Sequence, residues 1–250
     1  MPGTRTYRTT AIVLGRTKLK ETDLILTLIT QDGRQVRAVA KGARKPGSRL
    51  AARCELACCC DMLLAHGRTL DIVSQAELLE APLGASPDYD LLCAASAVCE
   101  AARLCCYEDA VDPFVFAITR ALLSKLGSVP VDGPHLDLLV AAYVFKVLSH
   151  IGYRPDLSSC VACGDPDLGY FSATMGGLLC PSCARGVAGA ERVDSACVAM
   201  LRSCLDLRFD ELLALGVDGP RAAFVLGLSH VWAATHLDAR MRAFEFLLGR

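Results

Sequence analysis

Four cysteines carry the clearest chemistry in this sequence. Cys160-Val161-Ala162-Cys163 is followed after sixteen residues by Cys180-Pro181-Ser182-Cys183. Two thiolates two residues apart can share one tight turn and one metal ion, and two such turns supply the four soft ligands of tetrahedral zinc. The spacing between the pairs is that of a zinc ribbon. Gly164 lets the backbone turn around the ion, and Gly176-Gly177 bends the chain back toward the second pair. Four cysteines leave no open coordination position, so one structural Zn2+ per chain is expected and no catalytic metal. Two disulfides or a redox Cys-x-x-Cys are the alternatives. Both fit less well a chain that carries the pair twice at ribbon spacing and lacks the apolar stretch of a signal peptide between Met1 and Thr10.

The elements that must position this site are set by a chain of 250 residues with 53% hydrophobic composition and a mean hydropathy of +0.37. That is enough for one large domain or two to three small ones with a sizeable core. The longest apolar run, Leu138 to Phe145, stops at Lys146, well short of the roughly 18 residues of a membrane span. A cytoplasmic protein with no membrane partner is expected. The ten other cysteines lie mostly in apolar company and should behave as small hydrophobes in a reducing compartment.

Charge divides the chain. Between Met1 and Arg53 twelve basic residues face three acidic ones, a balance of +9, while the remainder carries −10. A compact basic segment on a mildly acidic body points to a polyanion partner for the first part only. Residues 9 to 80 alternate with the period of strands: Thr9 to Leu14, Leu24 to Ile29, Gln35 to Lys41 after the hairpin signal Asp32-Gly33, Leu56 to Leu64, and Thr69 to Ser74 after His66-Gly67. Alternation places Val36, Ala38 and Ala40 on one face of the third strand and Arg37 and Lys41 on the other. It also turns most of Cys58-Cys59-Cys60 into the core. The glycine-rich loop from Gly42 to Arg49 adds further basic groups. Five short strands in about seventy residues fit a small closed barrel of the OB type. Arg34, Arg37, Lys41, Arg44, Lys45 and Arg49 are the candidate nucleic-acid-binding residues. A solvated charged face is the plainer alternative. Tyr7 is the only aromatic residue before Tyr89, so backbone contact should outweigh base stacking, with little sequence preference.

Pro82, Gly84 and Pro87 mark a boundary, placing an OB domain at 1–80 and an α-helical domain at 81–250. The zinc ribbon, at 158–186, is inserted between its helices. Helical periodicity predicts helices from Tyr89, over Phe114–Leu126, Leu136–Ile151, Ser195–Leu207 and Arg221–Leu248. The fold class is thus α+β. No catalytic residues are expected. The chain lacks a phosphate-binding loop and the His-x-Glu of a zinc deaminase; its histidines read as surface or satisfied core residues, and Asp88 and Asp90 as helix-start acids.

In order and spacing, nearly the whole chain resembles one family. The segments are Ala11 to Leu14, Glu21-Thr22-Asp23, Leu26-Thr27, Ala40 to Lys45, Leu70-Asp71, Gln75 to Leu78, Gly152 to Leu157, Cys160-x-x-Cys163, Tyr170-Phe171-Ser172, Gly176 to Cys180, Thr235-His236-Leu237 and Phe244 to Leu247. Together they are similar to the RecO family of bacterial DNA repair proteins. Cys58-Cys59-Cys60 and Ala243, where a serine is usual, depart from that pattern. The resemblance implies an OB barrel, a helical domain and a four-cysteine zinc site. It also implies a nucleoid-associated mediator of repair and homologous recombination. Such a protein binds single-stranded and possibly double-stranded DNA, anneals complementary strands and works with RecR. It helps to load the recombinase RecA onto strands coated by single-strand-binding protein, whose C-terminal tail it contacts. An RNA-binding or transcription-associated ribbon protein is the first rival reading, and a nuclease or other hydrolase the second.

Overall fold

The computed structural model describes residues 6–128 and 130–249; Arg5 and Arg250, counted among the basic residues above, lie outside them. Five strands close the barrel: β1 (Thr6–Leu19), β2 (Asp23–Thr30), β3 (Gln35–Ala40), β4 (Cys59–Ala65) and β5 (Asp71–Glu80). Their order around it is β1-β2-β3-β5-β4. Every pairing is antiparallel except β3 with β5, where Ala38 lies opposite Asp71 and Val39 opposite Ile72. Alternation builds the core as expected. Ala38, Ala40, Cys58, Cys60, Met62 and Leu64 point inward with Leu24, Leu26 and Leu28. Cys59 is buried too. β1 is longer than its apolar run, because Gly15 to Leu19 continue as a ribbon with β2 beyond a register shift between Val13 and Gly15.

The barrel ends with β5 at Glu80. Two helices follow and join the barrel in one compact unit that runs to Pro130. In α1 (Tyr89–Cys105) Asp88 is the N-cap and accepts from the Leu91 N–H at 2.7 Å. In α2 (Pro113–Ser128) Arg120 pairs with Glu80 at 2.6 Å. The β2–β3 hairpin seats against the link between them. The Gln35 side-chain amide donates to the carbonyls of Arg103 and Cys106. Gly33, at φ +86°, is so close that an added Cβ would lie 1.9 Å from the Asp112 carbonyl oxygen, so only glycine fits that turn.

The second unit is built on α3 (Gly133–His150), which is apolar on all sides and buried along most of its length. Around it lie α5 (Ser195–Asp206), α6 (Phe209–Leu213) and α7 (Gly219–Leu237). The ribbon comprises β6 (Tyr170–Ser172), β7 (Gly177–Leu179), the single turn α4 (Pro181–Ala184) and β8 (Glu191–Arg192), with sheet order β7-β6-β8. Phe171 of β6 lies against both Phe145 of α3 (6.4 Å between ring centroids) and Trp232 of α7 (5.5 Å), all three fully buried. This aromatic contact ties the ribbon to the helices. Removing a buried aromatic side chain costs about 3–5 kcal/mol. Phe171→Ala should therefore lower the stability of this unit by that much in denaturant unfolding, and a loss under about 1 kcal/mol would show that the anchor is elsewhere.

The continuous helix expected over Arg221–Leu248 is interrupted. Asp238 ends α7 in the left-handed conformation (φ 46°, ψ 45°), and α8 (Arg242–Leu248) starts afresh. An aspartate tolerates that conformation better than most residues, and apolar periodicity alone gives no sign of it. Among the described residues no helix is long and apolar enough to cross a membrane.

Candidate metal centre and nucleic-acid interface

The two Cys-x-x-Cys turns meet. Cys160 and Cys163 lie just before β6, Cys180 is the N-cap of α4, and Cys183 lies inside that turn. The four sulfurs are within 4.8 Å of one another, and Cys163 Sγ to Cys180 Sγ is 3.7 Å. Metal–sulfur bonds of about 2.3 Å in a tetrahedron give edges of about 3.8 Å, so the cluster fits a thiophilic ion. Local turns set this up. The Gly164 N–H donates to the Cys160 carbonyl at 2.8 Å with Gly164 at φ +78°, and the Cys183 N–H donates to Cys180 Sγ at 3.4 Å. The Cys180 N–H draws the Cys160 thiol down to about 6, while the sulfurs of Cys163 and Cys180 push Cys183 up to about 12. Metal ligation takes the thiolate form, so such a cluster is completed by a cation. Among the described residues it is the one group of three or more His, Cys, Asp or Glu side chains able to hold a metal. The ten other cysteines are all buried, and burial pushes Cys60, Cys99 and Cys204 up to about 12. They are core side chains with inert thiols.

The six candidate DNA-binding residues do not form one cluster. Arg37 projects from the outer face of β3, opposite Thr27. Lys41, Arg44 and Lys45 lie beyond the end of β3, and their loop is clamped to the β1–β2 turn. The Gly42 N–H donates to Asp23 Oδ1 at 2.7 Å, and the Arg44 N–H donates to the Thr22 carbonyl. That Gly42 bond is the main cause that holds the Asp23 carboxyl below the usual range, with the Thr22 hydroxyl assisting. The Arg44 guanidinium donates to the carbonyls of Glu21 and Lys20, so part of its donor capacity is used internally. Arg37, Lys41 and Lys45 are exposed and make no side-chain ion pair among the described residues. Lys18, near the end of β1, and Lys20, in the β1–β2 turn, are also exposed and were not singled out by sequence; the clamp between that turn and the loop after β3 brings them into account. Arg49 is exposed farther along the loop, and its carbonyl accepts from Arg53 Nη1. Arg34 sits at the opposite end of β3, about 23 Å from Lys41 at strand rise, and its guanidinium is bound to Asp32 at 2.7 Å.

Two comparisons bear on this arrangement. Residues 3–82 match the profile of the recombination protein O N-terminal domain, and residues 86–243 that of the recombination protein O C-terminal domain. The chain belongs to the RecO family. Curated relatives named DNA repair protein RecO include one from Bifidobacterium animalis subsp. lactis, 37% identical over 243 residues, which covers 96% of this chain and 98% of that one. Another, from Cutibacterium acnes, is 33% identical and covers 97% and 98%. A third, from Desulforudis audaxviator, is 31% identical and covers 96% of each. Membership places the protein in DNA repair. It also fits the two profiles to the architecture described here, the first to the barrel and the second to the helices with the cysteine cluster.

Proposed function

We propose that the protein is a recombination mediator without catalytic turnover. Its barrel holds single-stranded DNA by the backbone, it anneals complementary strands without nucleotide, and with RecR it helps to load RecA onto strands coated by single-strand-binding protein. The observation that carries this reading is the exposed basic group formed by Arg37, Lys41 and Lys45 with Lys18 and Lys20 on a barrel almost free of aromatic residues. Annealing brings two polyanions together, so it requires neutralised phosphates and bases left free to pair. The cysteine cluster is assigned to one structural zinc. Cys160, Cys163, Cys180 and Cys183 would hold it, and the ion would fold the ribbon against α3 and α7 rather than act on DNA. The setting is cytoplasmic and nucleoid-associated.

The acidic, apolar tail of single-strand-binding protein needs a cleft with basic and apolar lining. Support for tail docking comes from a cleft of about 600 Å3 lined by Arg154, Pro155, Leu157, Arg202 and Leu205, with Asp156 and Asp206 beside them. Arg154 is held there by Asp206 at 3.2 Å, an exposed pair worth about 0–1 kcal/mol that an incoming carboxylate can displace. The test is annealing of complementary strands coated with single-strand-binding protein, intact or lacking its tail. Efficient annealing with the intact coat and poor annealing without the tail are expected. Equal rates would remove tail docking and leave DNA binding alone.

A further inference from the structure

At the Arg34 end of β3 the barrel carries a pocket of a different character from the basic loop. Tyr7 of β1 stacks on His66, the residue after β4, with ring centroids 4.6 Å apart and planes inclined by 27°. Asp71 locks the pair from beneath. Its carboxylate accepts from the Tyr7 hydroxyl at 2.5 Å and from the Gly67 N–H at 3.3 Å, and it lies 3.5 Å from His66 Nδ1. The His66 side chain remains 56% exposed, so the ring face turned away from Tyr7 is open. The adjoining cavity, of about 360 Å3, is lined by these rings, by Arg8 and Arg34, and by Asp32 and Glu108.

The charge balance defines the occupant. Arg34 is bound by Asp32, Arg8 is bound by Asp61 at 3.0 Å, and Glu108 adds a further carboxylate. Around the pocket the carboxylates of Asp32, Asp61, Asp71 and Glu108 outnumber the guanidinium groups of Arg8 and Arg34, and this excess of negative charge repels a phosphate. What remains attractive is a stiff aromatic platform bordered by hydrogen-bonding groups of both signs, which suits a flat uncharged heterocycle with donor and acceptor edges. We propose that this pocket takes one unpaired nucleobase of a bound single strand, stacked on the His66 ring that Tyr7 supports. The inference rests on the reading that the barrel binds single-stranded DNA. It gives the strand one fixed base at this end of β3, while the backbone runs on toward the basic loop with its other bases free.

The experiment compares the affinity of the full-length protein for oligothymidine and for an abasic oligomer of equal length and charge, at several salt concentrations. The parent protein should prefer oligothymidine by about tenfold, the size of one base–aromatic stack. His66→Ala should remove that preference without changing the salt slope or the affinity for the abasic oligomer. His66→Phe, which restores a ring without a titratable nitrogen, should recover it. A parent protein that binds both oligomers equally, or a His66→Ala variant that keeps the preference, overturns the pocket and leaves backbone binding standing. Failure of the parent to bind either oligomer overturns the DNA-binding reading itself.

Discussion

Cys160→Ser is expected to yield protein that has lost its metal and most of its solubility, whereas Cys59→Ser should retain about one equivalent per chain by elemental analysis. The difference comes from where the two residues sit. Cys160 lies in the four-sulfur cluster, while Cys59 is buried in β4, away from it. Structural zinc contributes about 10–16 kcal/mol in ribbon-sized sites, far more than the small strands β6, β7 and β8 can supply alone. Loss of one ligand should therefore unfold the ribbon and expose Phe171 with its neighbours Phe145 and Trp232. A buried serine in place of Cys59 costs about 1–3 kcal/mol without touching the metal. If both variants keep metal, or both lose it, the assignment of the centre is wrong.

The second large effect is on DNA. Arg37→Glu combined with Lys41→Glu should weaken binding to single strands of any sequence. It should also flatten the log–log salt slope by about 1.4, the contribution of two neutralised phosphates. Both side chains are exposed and unpaired within the described barrel, so the change should leave the fold intact. The appropriate control is reversal of Arg185 and Arg208, exposed residues of the second unit. Arg202 is unsuitable because its guanidinium donates twice to the Leu157 carbonyl. A slope unchanged by the barrel pair would take the barrel out of the account.

Much of this organisation was legible in the residues. Strand alternation located all five barrel strands because alternate residues of each enter the barrel core, and Cys58, Cys60 and Met62 obeyed that rule as well as any leucine. The cysteine spacing located the cluster because tetrahedral geometry leaves few ways to place two Cys-x-x-Cys turns. Properties that depend on contacts between distant segments stayed hidden. Gly15 to Leu19 are too polar to announce a strand, yet pairing with Asp23 to Thr27 makes them one. A count of charges treats Arg34, Arg37 and Arg44 alike, whereas Arg34 is neutralised by Asp32, Arg37 is exposed with no ion pair among the described residues, and Arg44 gives part of its donor capacity to carbonyls. The Tyr7–His66 stack joins residues 59 positions apart, and no local pattern marks it. The break at Asp238 depends on a single left-handed residue inside an uninterrupted apolar period.

The central claim is that a basic barrel anneals DNA by neutralising backbones, with no nucleotide and no reliance on the helical unit's charge. The most direct measurement is the rate at which two complementary strands, one carrying a fluorophore and the other a quencher, become duplex in the absence of ATP. The account predicts acceleration by the parent protein that falls as salt rises, survives Arg185→Glu with Arg208→Glu, and is largely abolished by Arg37→Glu with Lys41→Glu. Annealing that requires ATP, or that proceeds unchanged in the Arg37 and Lys41 double variant, would contradict it.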